Sequence, residues 1–234
     1  PPMPTPYTVL IDDAEWQARG AELANMSRSR RWHDFVWHAS RLAIIDPERY
    51  VRVSITDADW DAAMDELSRF EAASDWQAVA ARLSRLKQMD PARGAILVVP
   101  EDLWAAMLAE LENLRTKGDW AAFISHAHHL RGADADRFHP AILTPEDWDK
   151  LLALIRTEAV AGNWEIVAKL ASSMAMADPA RAGETLHFSN TDWNNLSVAL
   201  EAARQQSQWA AFAAQACRLK TLLDVRPSLL PVVA

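Results

Sequence analysis

A chain of 234 residues, half of them apolar, can bury a sizeable core as one large domain or two small ones. Its formal charge of -8, from 24 basic and 32 acidic residues, favours solubility and disfavours bulk attraction to nucleic acid or an anionic membrane. A single cysteine, Cys217, excludes an intramolecular disulfide and fits a reducing, cytoplasmic setting, and no apolar run approaches the roughly 20 residues that crossing a bilayer needs.

The first ten residues, PPMPTPYTVL, have neither the basic start nor the apolar stretch of a secretory leader. After them Asp12 and Glu15 stand at capping-box spacing before Trp16, which predicts a helix start there. Trp16 begins an apolar face that includes Leu23, and Trp32 opens a second helix carrying Phe35 and Leu42. Asp46-Pro47 closes that helix, because proline restricts the residue before it and cannot continue the hydrogen-bond ladder.

The same plan recurs along the chain. The pairs Trp60/Trp76, Trp104/Trp120, Trp148/Trp164 and Trp193/Trp209 repeat the sixteen-residue spacing of Trp16/Trp32, and their first members lie 44, 44, 44 and 45 residues apart. Thr56/Asp59, Thr144/Asp147 and Ser189/Asp192 repeat the capping box, whereas Pro100 stands at the cap of the third unit. Seven residues after each first tryptophan stands Leu23, Leu67, Leu111, Ile155 or Leu200, and this column predicts a buried face. Gly118 and Gly162 fit tight turns between the two helices of a unit. Asp90-Pro91 and Asp178-Pro179 repeat the stop, and Asp134-Ala135 breaks it. The joints carry short apolar runs such as VRVSI and AILVV, which are expected to pack over helix ends in preference to forming strands.

The units run approximately over residues 8–51, 52–95, 96–139, 140–184 and 185–230 of a single all-α domain covering 1–234. A helix pair cannot bury its apolar face alone, so neighbouring pairs must stack. The pattern resembles the αα-hairpin solenoids, HEAT-like or tetratricopeptide-like, across residues 8 to 230, without a specific family motif. That resemblance implies five antiparallel hairpins in an open, right-handed, elongated solenoid that binds a protein or peptide along its surface.

Candidate binding residues follow from the second helices. Counted from each helix's tryptophan, offsets +6 and +9 read His38/Arg41, Arg82/Arg85, His126/His129, Leu170/Ser173 and Gln215/Arg218. Stacking would align them as a basic and histidine-bearing strip on an acidic protein, suited to an acidic peptide, a carboxylate or a phosphate. Trp37, outside the tryptophan pairs, is the candidate for an exposed contact, and the paired tryptophans are expected to be packing anchors. In SHAHHL, His126 and His129 lie three apart without the third and fourth ligands a zinc site needs, so neither metal nor cofactor is called for. Cys217 shares a column with Ser40, Ser84, His128 and Ser172 and reads as a packing residue, not a nucleophile. The primary expectation is a non-catalytic binding or adaptor protein with a protein or peptide partner, an acidic one suiting the strip, with self-association as a further outcome. The alternative is an all-helical enzyme or small-ligand binder with its site near the irregular third unit, where Pro100, Ala135 and the histidines coincide.

Overall fold

The computed structural model describes residues 11–226, so the segment PPMPTPYTVL lies outside the described residues. The fold is all-α, with no strand among those residues. The first unit contains α1 (Asp13–Arg28), α2 (Trp32–Ile45) and a short joint helix α3 (Pro47–Tyr50). The second has α4 (Asp57–Ala72), α5 (Trp76–Met89) and α6 (Pro91–Ala95). The third has α7 (Glu101–Lys117) and α8 (Trp120–Ala133), followed by a 3-10 turn at Pro140–Ile142. The fourth has α9 (Pro145–Val160), α10 (Trp164–Ala177) and α11 (Pro179–Thr185), and the last has α12 (Asn190–Gln205) and α13 (Trp209–Asp224).

Local chemistry places these boundaries. The capping boxes headed by Asp12, Thr56, Thr144 and Ser189 all form, satisfying N–H groups that the first turn leaves free. Pro100 starts α7 without a side-chain cap. The turns inside the hairpins need one left-handed residue. Gly118 and Gly162 take it at φ 70° and 78°, while Arg30, Ser74 and Ser207 adopt φ near 54°, 54° and 53° in the other units.

Four of the five second helices, α2, α5, α8 and α10, end in an aspartate with a second task. Asp46, Asp90, Asp134 and Asp178 accept the N–H of Arg49, Arg93, Arg137 and Arg181, three residues on. These arginines lie 5.3, 5.7, 4.9 and 5.1 Å from the ring centres of Trp16, Trp60, Trp104 and Trp148. They also donate to the carbonyls of Ile11, Ile55, Val99 and Leu143, tying the end of each unit back to its own beginning. Unit three keeps this turn although Ala135 replaces proline, because Asp134 and Arg137 still form it. The adjoining apolar runs are split: Val99 and Leu143 are buried, whereas Val51, Ile96 and Val98 point to solvent.

The second helices pack side by side in the order α2, α5, α8, α10, α13, and α13 then packs against α2. The first helices lie outside this ring. α4, α7, α9 and α12 each contact the inner helix of the preceding unit, and α1 contacts α13 in the same way. The expected open, elongated solenoid is therefore corrected to a closed ring of five hairpins. The reason is that the last junction offers the docking chemistry of the internal ones. Ser27 donates to Asp59 at 2.6 Å and Arg115 pairs with Asp147 at 2.8 Å, joining one outer helix to the capping acid of the next. Arg204 pairs with Glu15 at 2.7 Å in the equivalent positions of the last and first units. Arg19, fully buried, places its guanidinium 3.9 Å from the centre of Phe212 on α13.

Small residues let the inner helices approach. Val36, Ala80, Ile124, Ala168 and Ala213 share one buried column, and Ala39, Leu83, Ala127, Ala171 and Ala216 share another. At Gly132 a Cβ would lie 2.0 Å from Ser84 Oγ, so the α5–α8 approach requires glycine there. The column Leu23, Leu67, Leu111, Ile155 and Leu200 is buried as expected.

Candidate functional site

A ring of five helices has an inside. At about 100° per residue, offsets +5, +8, +9 and +12 fall within an arc of about 100° on each inner helix. A cavity of about 60 Å³ at the centre of the ring is lined by residues at these offsets, such as Trp37 at +5, Cys217 at +8, Arg85 at +9 and Met176 at +12. The +8 and +9 positions hold the buried middle of this lumen, and the +5 and +12 positions stand nearer its two ends. At the +5 end Lys169 is exposed and Trp37 half-buried.

The lumen is cationic. Arg41, Arg85 and Arg218 come from α2, α5 and α13, and Lys169 from α10. Arg85 is 6% exposed, and its Nε has no hydrogen-bond partner among the described residues. Its NH1 donates to the neutral Gln88 at 3.2 Å. Its guanidinium stacks 4.2 Å from the centre of Trp37, with that of Arg41 at 5.1 Å from the same ring. Burial lowers the Arg85 pKa to about 10, which leaves it charged at neutral pH. Burial also lowers Arg41 and Arg218 from their ordinary value. Glu165 approaches Arg218 NH1 at 3.6 Å, too long for a hydrogen bond.

His128 and His129 lie side by side in this wall, with ring centres 3.9 Å apart. Both ring nitrogens of His128, and Nε2 of His129, lack partners among the described residues. Burial holds both histidines well below their ordinary pKa, Arg85 and each one's histidine neighbours adding to the effect, so both are neutral at pH 7. Burial likewise pushes the Cys217 thiol up, outweighing the opposite pull of Arg85, Arg41 and Arg218. The lumen thus combines fixed cations, neutral imidazoles and an un-ionised thiol.

The predicted strip does not stay on one face. Arg41, Arg85, His129 and Arg218 reach the lumen together with Trp37, so that tryptophan lies within the lumen wall and not on an outer surface. His38, Arg82 and His126, at +6, lie about 60° beyond the lumen arc. They are buried between inner and outer helices, which corrects their expected place on a solvent face. There His38 Nε2 donates to Arg19 O at 3.3 Å and His126 Nε2 to Met107 O at 2.8 Å, while Arg82 pairs with Glu66. Arg85, although on the predicted strip, is likewise buried rather than solvated.

Sequence reasoning did not include His128 and Lys169 among the candidates. Their signal was the shared +5 and +8 columns, which read as varied or small when the array is taken as open. The paired tryptophans pack against the core, and Trp148 Nε1 donates to Thr185 at 3.0 Å. No group of histidine, cysteine and carboxylate side chains is arranged to hold a metal among the described residues. Among those residues, no helix is long and apolar enough to cross a membrane. No family model, curated protein or solved structure matches the chain.

Proposed function

We propose that the chain is a non-catalytic binding protein that receives an anionic group in the lumen of its helical ring. The observation that carries this reading is the convergence of Arg41, Arg85, Arg218 and Lys169 on one cavity where Glu165, at 3.6 Å from Arg218, is the carboxylate in reach. A buried guanidinium without a carboxylate, as at Arg85, is costly, and an anion inside the ring would offset that cost through charge-assisted hydrogen bonds. The five inner helices start at the Lys169 end, so their N-terminal dipoles reinforce the attraction of an anion to that mouth. A protein or peptide partner, as the repeat pattern suggests, would have to deliver an acidic side chain or terminal carboxylate through this mouth, because much of the basic strip faces inward.

The test is thermal unfolding of the full chain with matched pairs of small solutes, such as acetate against acetamide, at constant ionic strength. The expected result is stabilisation by the anion and not by its neutral counterpart, lost when Arg41 and Arg85 are both replaced by Met. Equal effects of charged and neutral solutes would remove the reading.

A further inference from the structure

We propose that the group held in the lumen is a phosphate-type oxyanion, a compact tetrahedral dianion. This rests on the reading of the lumen as an anion site and narrows it by charge, direction and size. Three arginines and one lysine face one carboxylate, so a monoanion leaves the lumen with an excess of positive charge and a dianion comes closer to balance. The donors with unfilled capacity stand on different helices: Arg85 Nε on α5, His129 Nε2 and the His128 ring on α8, and Arg218 NH1 on α13. Arg85, His128 and His129 are 6%, 6% and 5% exposed, so water does not substitute freely for a missing partner.

Donors converging from around a ring suit an acceptor that presents oxygens in every direction. A carboxylate has its two oxygens in one plane and would leave part of this set unmet. The cavity of about 60 Å³ accommodates a tetrahedral oxyanion but no sugar or nucleobase. A larger molecule can therefore present only a terminal phosphate, entering past Lys169 and Trp37. Trp37 holds Arg41 and Arg85 by its ring face, which fixes two cations in place before the ligand arrives.

Isothermal titration of the full chain with inorganic phosphate, phenyl phosphate, acetate and citrate tests this. The expected result is one phosphate per chain, with affinity reduced roughly tenfold or more in Arg85→Met. Arg41→Met serves as a second variant should the first fail to fold, and unchanged far-ultraviolet circular dichroism checks folding in both. Phenyl phosphate binding as well as phosphate assigns the site to a phosphomonoester end, and binding of inorganic phosphate alone assigns it to the free ion; either supports the proposal. Arg85-dependent binding of acetate or citrate without phosphate overturns the tetrahedral oxyanion and leaves the anion reading standing. Binding of none of the four overturns both.

Discussion

Two faces of the same inner helices bury cations and histidines, and they treat them differently. Toward the outer helices, His38 and His126 each donate to a backbone carbonyl, and Arg82 meets Glu66 with its guanidinium 5.6 Å from the ring of Phe70. Toward the lumen, Arg85 has a neutral glutamine and a tryptophan face, and His128 has no hydrogen-bond partner for either ring nitrogen. His38, Arg82 and His126 on one face and Arg85, His128 and His129 on the other are all buried. The kind of partner therefore separates the faces: His38, His126 and Arg82 each keep a carbonyl or carboxylate partner, although His38 Nδ1, His126 Nδ1 and Arg82 NH1 are unmet, whereas Arg85 meets a neutral amide and both His128 nitrogens are left with capacity for something else.

The apolar column sets the scale for that comparison. Leu111→Ala, at a fully buried site, should cost roughly 2–5 kcal/mol in denaturant unfolding, and Leu67→Ala should fall in the same range. Polar substitutions approaching this cost are acting as core.

Acid should expose the hairpin face next. Burial lowers His38 from its usual 6.5 to about 4. Above the unfolded value both states are neutral and the stability is intact. As pH falls from 6.5 towards 4 the unfolded chain takes up a proton that the folded chain refuses, so stability is lost across that window. His38 alone accounts for about 3 kcal/mol of this loss. His38→Gln should flatten the stability curve over that range, and an unchanged curve would show that His38 is not neutral in the fold.

The sharpest contrast is between two arginines three residues apart. Arg82→Met should cost roughly 1–3 kcal/mol, because Glu66 loses its partner. The figure stays below that of a fully enclosed pair because Glu66 keeps part of its side chain in water. Arg85→Met should change ligand-free stability by less than about 1 kcal/mol or raise it, since an unpaired buried charge gives way to an apolar side chain of similar length. Equal losses at both positions in anion-free buffer would erase the distinction between the faces.

The helices were legible because their signals are local. Capping boxes, the tryptophan pairs and the +7 leucine column each act within a few turns, and the structure keeps them all. The recurrence of Asp46/Arg49, Asp90/Arg93, Asp134/Arg137 and Asp178/Arg181 was equally readable and explains why the joints are ordered, including the one without proline. Ring closure was not legible from periodicity, which fixes one unit but not the rotation between units. Two hints were present. The first and last units keep apolar flanks where an open array needs polar caps, as Val36, Phe212 and Ala213 show. Arg19 interrupts the apolar +3 position of the first helices, and it is the residue that meets Phe212 across the closing junction. The lumen was half visible for the same reason: +9 was identified, but +6 was grouped with it because an open array has no inside to distinguish them. Solution scattering should give a radius of gyration near 17–18 Å, about that of a compact chain of this size, and a clearly larger value would reopen the ring.

The pairing of Glu15 with Arg204 spans 189 positions of sequence. The other junctions join neighbours in sequence and can form while the chain is being made, but this one requires the whole polypeptide. Its loop-closure cost exceeds that of the internal junctions, which join neighbouring units. During synthesis the flank of α2 stays uncovered until α13 emerges, so the nascent array exposes an apolar edge for most of its length. Replacing Arg204 with Ala should therefore act mainly on unfolding, because a contact made last is absent from the folding transition state.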